Sequence, residues 1–121
     1  MLSGKKMKLY ERQAGVAKSI AHPLRIAILD YLTDGEQCVC DIADYAGAQR
    51  SNISRHLSVM VSAGVLEYRK DGLKVMYKLK TPCIVDCFSC LTGVLKSQLK
   101  EDQKLILQDL HLYLHNFLEI M

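Results

Sequence analysis

A mainly α-helical fold with one small β-hairpin is what this 121-residue sequence predicts. Three observations predict it. Several segments carry apolar residues at helical spacing. One Asp-Gly pair, Asp71-Gly72, separates two runs in which apolar and charged residues alternate. Two helical segments meet at Gly47, and the hairpin follows the second of them. The length suits a single domain, 1–121, and half the residues are apolar, ample for a core. Two prolines and seven glycines argue against a disordered or linker-rich chain.

The first predicted helix covers 8–21, with Leu9, Val16, Ala17 and Ile20 on one face. His22-Pro23 restarts the chain, and proline suits a first helical turn because its missing N–H has no partner there. Leu24, Ala27, Ile28, Tyr31 and Leu32 then mark a second helix, which Asp34-Gly35 stops. A short helix over about 40–46 carries Ile42, Ala43 and Ala46, and Gly47 breaks it. The next runs from about Arg50 to Ala63, with Ile53, Leu57, Met60 and Val61 toward the core. In the hairpin, Leu66 and Tyr68 alternate with charged neighbours, as do Val75, Tyr77 and Leu79. Its Asp-Gly turn favours positive φ at both positions. Thr81-Pro82 opens a further helix, threonine as cap and proline first, reaching about residue 100. The last stretch places Leu110, Leu114, Phe117, Leu118 and Met121 on one side. That much apolar surface predicts a symmetric dimer, with helices 8–21 and 82–121 as the pairing elements.

Charge is distributed unevenly. Residues 1–80 hold 13 Lys/Arg against 8 Asp/Glu, whereas 81–121 hold 3 against 5. Within 49–80 the count is 7 against 2. A basic middle and an acidic, apolar tail suggest a nucleic-acid face and a separate pairing face. Two helices joined at a glycine, the second with a polar basic outer side, form a helix-turn-helix, and the hairpin supplies a wing. The second helix would enter the major groove with Gln49, Arg50, Ser51, Asn52, Ser54, Arg55 and His56 toward double-stranded operator DNA. Arg69, Lys70 and Lys74 would hold flanking phosphate or minor groove from the wing. No apolar run reaches bilayer length, and MLSGKKMKLYERQ lacks the apolar core of a signal peptide. The expected location is the cytoplasm, with no membrane partner. No nucleophile–base–orienter set or phosphate-cradling loop is visible, so an enzyme is not expected.

The segments AHPLRIAILDYL (21–32), CVCDIA (38–43) and SNISRHLSVMVSAGVLEYRKDGLKVMYKL (51–79) together resemble the ArsR/SmtB family of winged-helix repressors, of the arsenite-responsive type. The resemblance covers 14–80. It implies a homodimeric, metal-responsive repressor that sits on operator DNA and leaves when an inducer binds: a thiophilic or divalent metal ion, or a reactive sulfur species. Two departures stand out. Gln49-Arg50 occupies the place where the family commonly has Ser-Gln, and Ala43 stands where the arsenic-type pattern often adds a third cysteine.

Five cysteines without a secretion signal point to thiol chemistry rather than disulfides. Cys83, Cys87 and Cys90 have C-x3-C-x2-C spacing, which on one helix puts all three on one face near its positive end. Thiolates are soft ligands for soft ions. Three converging sulfurs suit arsenite or antimonite, and four suit tetrahedral zinc or cadmium; lead is a further candidate. Cys83, Cys87 and Cys90 form the core of the expected site. A site bridging Cys38 and Cys40 to the later helix, within or between protomers, stands beside it. The competing reading is a buried packing face. Asp109, His111, His115 and Glu119 lack the spacing of the family's zinc pattern, since the second histidine follows the first by only four residues. A redox or persulfide sensor on the same fold is one rival function, and an interaction module that has lost DNA binding is another.

Overall fold

The computed structural model describes residues 1–98 and 100–120. The chain falls into two compact units, Met1–Val85 and Asp86–Met121. The first unit runs α1 (Gly4–Ile20), α2 (Pro23–Leu32), β1 (Gln37–Cys38), α3 (Val39–Ala46), α4 (Arg50–Ser62), β2 (Leu66–Asp71), β3 (Lys74–Leu79) and a 3₁₀ turn (Pro82–Val85). The second holds α5 (Asp86–Ser97) and α6 (Lys100–Ile120), which pack on each other.

Local chemistry explains where these helices begin and end. α1 starts at Gly4 rather than residue 8 because the Ser3 side chain accepts a hydrogen bond from the Lys6 N–H at 3.2 Å. Its expected apolar face is only partly used: Ile20 is buried and Val16 half-buried, but Leu9 and Ala17 are exposed. α2 is capped by His22, whose Nδ1 accepts from the Leu24 N–H at 3.1 Å, ahead of Pro23. α3 ends in a left-handed glycine, Gly47, at φ 63°. There the Ala48 N–H reaches the Ala43 carbonyl and the Gly47 N–H reaches that of Asp44. This closed ending sets the short Gly47–Gln49 turn into α4.

The core of the first unit is built by Ile28, Leu29, Leu32, Ile42, Ile53, Leu57, Met60 and Leu66, all fully buried. α2 packs against α3, α4 and β3 and so buries more than one face. That is why Leu29 is inside although it lies off the predicted stripe. Val61, predicted for the core, is half-buried, and Tyr68, which alternates with charged neighbours along the strand, is 56 % exposed.

The predicted two-stranded hairpin is part of a three-stranded antiparallel sheet of order β1-β3-β2. β1 pairs Gln37 with Tyr77 and Cys38 with Met76. A two-residue strand carries no periodicity, so nothing in the sequence marks it. The wing turn also differs. Asp71 pairs with Lys74 as the last rung, so Gly72-Leu73 is the centre of the turn. Only Gly72, at φ 64°, has positive φ, the pattern of a II′ rather than a I′ turn.

The predicted helix from Thr81 to about residue 100 is divided. Thr81 offers its carbonyl, accepting from the Ile84 N–H at 3.0 Å, and the α-helix proper starts at Asp86. Leu91, Val94 and Leu95 of α5 and Leu105, Leu107, Leu110, Leu114 and Leu118 of α6 are exposed in the single chain. Met121 and the side chains of Asp109, His111, Leu112 and Phe117 lie outside the described residues. Among those that are described, no helix is long and apolar enough to cross a membrane.

Candidate nucleic-acid interface and thiol groups

α4 buries Ile53, Leu57 and Met60 and turns the opposite side outward. Gln49, Arg50, Ser51, Ser54 and Arg55 are exposed, and Asn52 is half-buried. No side chain caps the start of α4, whose N-cap residue is Gln49. The first N–H groups and the positive end of the helix therefore stay available for phosphate.

His56 sits differently from the expected DNA-facing residue. It is half-buried, its Nδ1 accepts from Arg25 Nε at 3.0 Å, and its ring leans on His22 with centroids 4.5 Å apart. Arg25 also donates through a terminal nitrogen to the Ser19 carbonyl at 3.1 Å. One guanidinium thus ties α1, α2 and α4 together. Burial, which disfavours a charged ring, holds the His56 pKa below the ordinary histidine value, with His22, Arg25 and Arg55 adding to the effect. Because the folded pKa is lowered, this contribution to stability is complete above the ordinary value. It is lost as pH falls from there through the folded-state value. The melting temperature will drop as pH falls below the ordinary histidine value of about 6.5, and the drop will be smaller in His56→Gln. Equal drops, followed by circular dichroism, would remove His56 from the account.

On the wing, Arg69 is engaged by Glu36, at 3.0 Å from Nε and 2.6 Å from a terminal nitrogen, and lies 3.8 Å from Asp71. Its hydrogen bond holds the Glu36 carboxyl below the usual range, and Glu36 in turn raises the Arg69 pKa. Lys78 pairs with Glu67 at 3.2 Å. Lys70 and Lys74 are exposed, and among the described residues neither has a carboxylate partner. Of the three predicted wing contacts, these two carry the uncompensated charge. Glu36 is the residue the sequence reading missed, since its partner lies 33 positions away.

The thiols fall in three places. Cys38 is buried, ends β1 and caps α3, its Sγ accepting from the Asp41 N–H at 3.4 Å. Cys40 is half-buried in the first turn of α3. The pair therefore straddles an extended-to-helical junction rather than lying in one helix. Cys83 is exposed in the 3₁₀ turn of the first unit, and Cys87 and Cys90 are exposed on α5 of the second. The single helix expected to carry all three begins after Cys83. Cys87 and Cys90, three residues apart, share a face of α5. Among the described residues, no three His, Cys, Asp or Glu groups meet as a metal cluster within one chain. His115 pairs with Glu119 at 2.9 Å.

A helix-turn-helix whose second helix presents arginines and an uncapped start, followed by an antiparallel wing with basic side chains, defines a winged-helix DNA-binding regulator. The chain belongs to the arsR family of bacterial regulatory proteins, whose model matches residues 22–68. It is 33 % identical over 103 residues to Rv0081 of Mycobacterium tuberculosis, described as an uncharacterized HTH-type transcriptional regulator, spanning 84 % of this chain and 90 % of that protein. An arsenical resistance operon repressor of Staphylococcus xylosus is 33 % identical over 70 residues, 58 % of this chain and 67 % of that one. The solution structure of Mb0332 from Mycobacterium bovis, described as a homodimeric winged helix-turn-helix DNA-binding domain and a possible ArsR-family regulator, superposes with a TM-score of 0.68 at 30 % identity. That superposition covers 77 % of this chain and 86 % of that one.

Proposed function

We propose that this protein is a cytoplasmic, homodimeric repressor that releases operator DNA when a soft ion, arsenite or antimonite first, binds its cysteine thiolates. The observation that carries the reading is the place of Cys38. Its sulfur caps the first helix of the helix-turn-helix, and its backbone pairs with β3 of the wing. A ligand that draws this sulfur out of its buried seat disturbs both DNA-reading elements through one residue. Cys87 and Cys90 add two accessible thiols one turn apart, a donor set suited to soft ions. A further thiol, of this chain or of the second protomer, supplies the third. The exposed leucines of α5 and α6 give the pairing surface, and Mb0332 supports a dimer by likeness. A coupling of about 1–3 kcal/mol shifts occupancy about 5- to 150-fold, enough for a switch.

Operator release titrated against arsenite, antimonite, cadmium, lead, zinc and a persulfide donor tests the reading. Serine is placed at Cys38, Cys40, Cys83, Cys87 and Cys90 one at a time. Arsenite or antimonite should release DNA at the lowest concentration, and each true ligand's replacement should abolish release while leaving DNA binding intact. Release by the persulfide donor alone would favour the second reading, a dithiol redox sensor, for which the exposed Cys87–Cys90 pair suffices. Undiminished DNA binding with every thiol occupied would end both.

A further inference from the structure

The first unit holds a cleft that neither the DNA face nor the thiols use. It lies between the C-terminal halves of α1 and α4, measures about 600 Å³, and is lined by Arg12, Lys18, Arg25, Val16, Val59 and Ser62 among others. The volume is in the range of small-molecule sites. Its lining contains three cations and no carboxylate. Among the described residues, none of the three cations is in an ion pair. Cations gathered around a concave wall without counter-charge focus a positive potential that concentrates anions. The lining is otherwise apolar or small, with Val16 and Val59 on facing helices.

We propose that this cleft binds a small organic anion, a carboxylate on a short apolar body, and that its occupancy is felt by the DNA-reading helix through Arg25. The carboxylate would take the guanidinium forks of Arg12 and Arg25 and the ammonium of Lys18, and the apolar body would lie on the valines. Arg25 is the link. The same guanidinium that lines the cleft donates to His56 in the middle of α4 and to the Ser19 carbonyl at the end of α1. An anion that reorients Arg25 competes with the bond that seats α4 on α2. The cleft flanks the last turn of α4, beside Val59 and Ser62, whereas base reading uses the first turns. Ten residues of helix, about 15 Å, separate Asn52 from Ser62, which favours a free small anion over a DNA phosphate as the occupant. The coupling rests on the DNA-binding reading, but the binding does not.

Octanoate, 1-octanol and inorganic phosphate are the probes, titrated into the full chain and followed by amide chemical shifts and calorimetry. Octanoate should bind with shifts centred on Gly15, Val59 and Ala63, and octanol and phosphate should bind at least about tenfold more weakly. Arg12→Gln with Lys18→Gln, both exposed positions on the first pairing helix, should remove octanoate binding and leave the far-ultraviolet circular dichroism of the fold unchanged. Saturating octanoate should weaken binding to a duplex selected from a random pool by about fivefold or more, an effect the double variant lacks. Absent octanoate binding, or octanol or phosphate binding as tightly, overturns the assignment. So does a double variant that, without octanoate, loses affinity for all duplexes alike with a shallower salt dependence, because the cleft would then be a seat for DNA phosphate. If octanoate binds but DNA affinity is unmoved, the coupling through Arg25 is refuted even though the site remains.

Discussion

Replacing Arg50 and Arg55 together with alanine will abolish sequence-selective DNA binding while the protein stays folded. Both side chains are exposed on α4, which packs through its other face. Neither has a carboxylate partner among the described residues, so their loss leaves no charge stranded. A good bidentate contact from arginine to a base edge is worth about 1–3 kcal/mol of discrimination. Two such losses amount to a weakening of about thirtyfold or more. Gel retardation of a selected duplex reads the affinity, and far-ultraviolet circular dichroism reads the fold. The loss should exceed that from Arg69→Ala, because Arg69 is already held by Glu36 and has less free charge to offer. Retardation unchanged in the double variant would show that the DNA face lies elsewhere and would revive the interaction-module reading.

Leu57→Ala will cost about 2–5 kcal/mol of folding stability. Leu57 is fully buried between Ile53 and Met60 on the inward side of α4, at the centre of the first unit. Truncation removes apolar burial and leaves a cavity that the packed helices close only in part. Against a total of about 5–15 kcal/mol, such a loss lowers the denaturation midpoint strongly without changing the slope of the transition. Val61→Ala is the companion measurement. The helical pattern alone puts Val61 in the same core, yet it is half-buried, so its truncation should cost about 1 kcal/mol or less. Equal effects of the two substitutions in urea unfolding would contradict this packing of α4.

That contrast shows where the sequence is legible. Ile28, Leu32, Ile42, Ile53, Leu57, Met60 and Leu66 stand at spacings set by the helix or strand they belong to, and all are buried. Gly47 and Pro23 punctuate the helices for reasons internal to a few residues. The exposure of Arg50, Ser51, Ser54 and Arg55 follows from the same period, because whatever is not on the apolar side of α4 faces out. The departures share a different character. Leu29 is buried because α2 is enclosed by three elements, and Tyr68 is exposed because only part of β2 is covered. Cys83 falls outside the helix that carries Cys87 and Cys90 because a 3₁₀ turn precedes α5.

By itself, then, the sequence determined the winged helix-turn-helix, the greater part of its core and the outward basic side of α4, since each depends on interactions among near neighbours in the chain. Tertiary structure alone decided that His56 answers to Arg25 rather than to solvent, that Glu36 holds Arg69, and that Cys38 joins the wing to α3. Apart from the cap of Cys38 on α3, these pairings span 31 to 38 positions. They form only when separate elements are brought face to face, and no local period can encode which side chains will then meet.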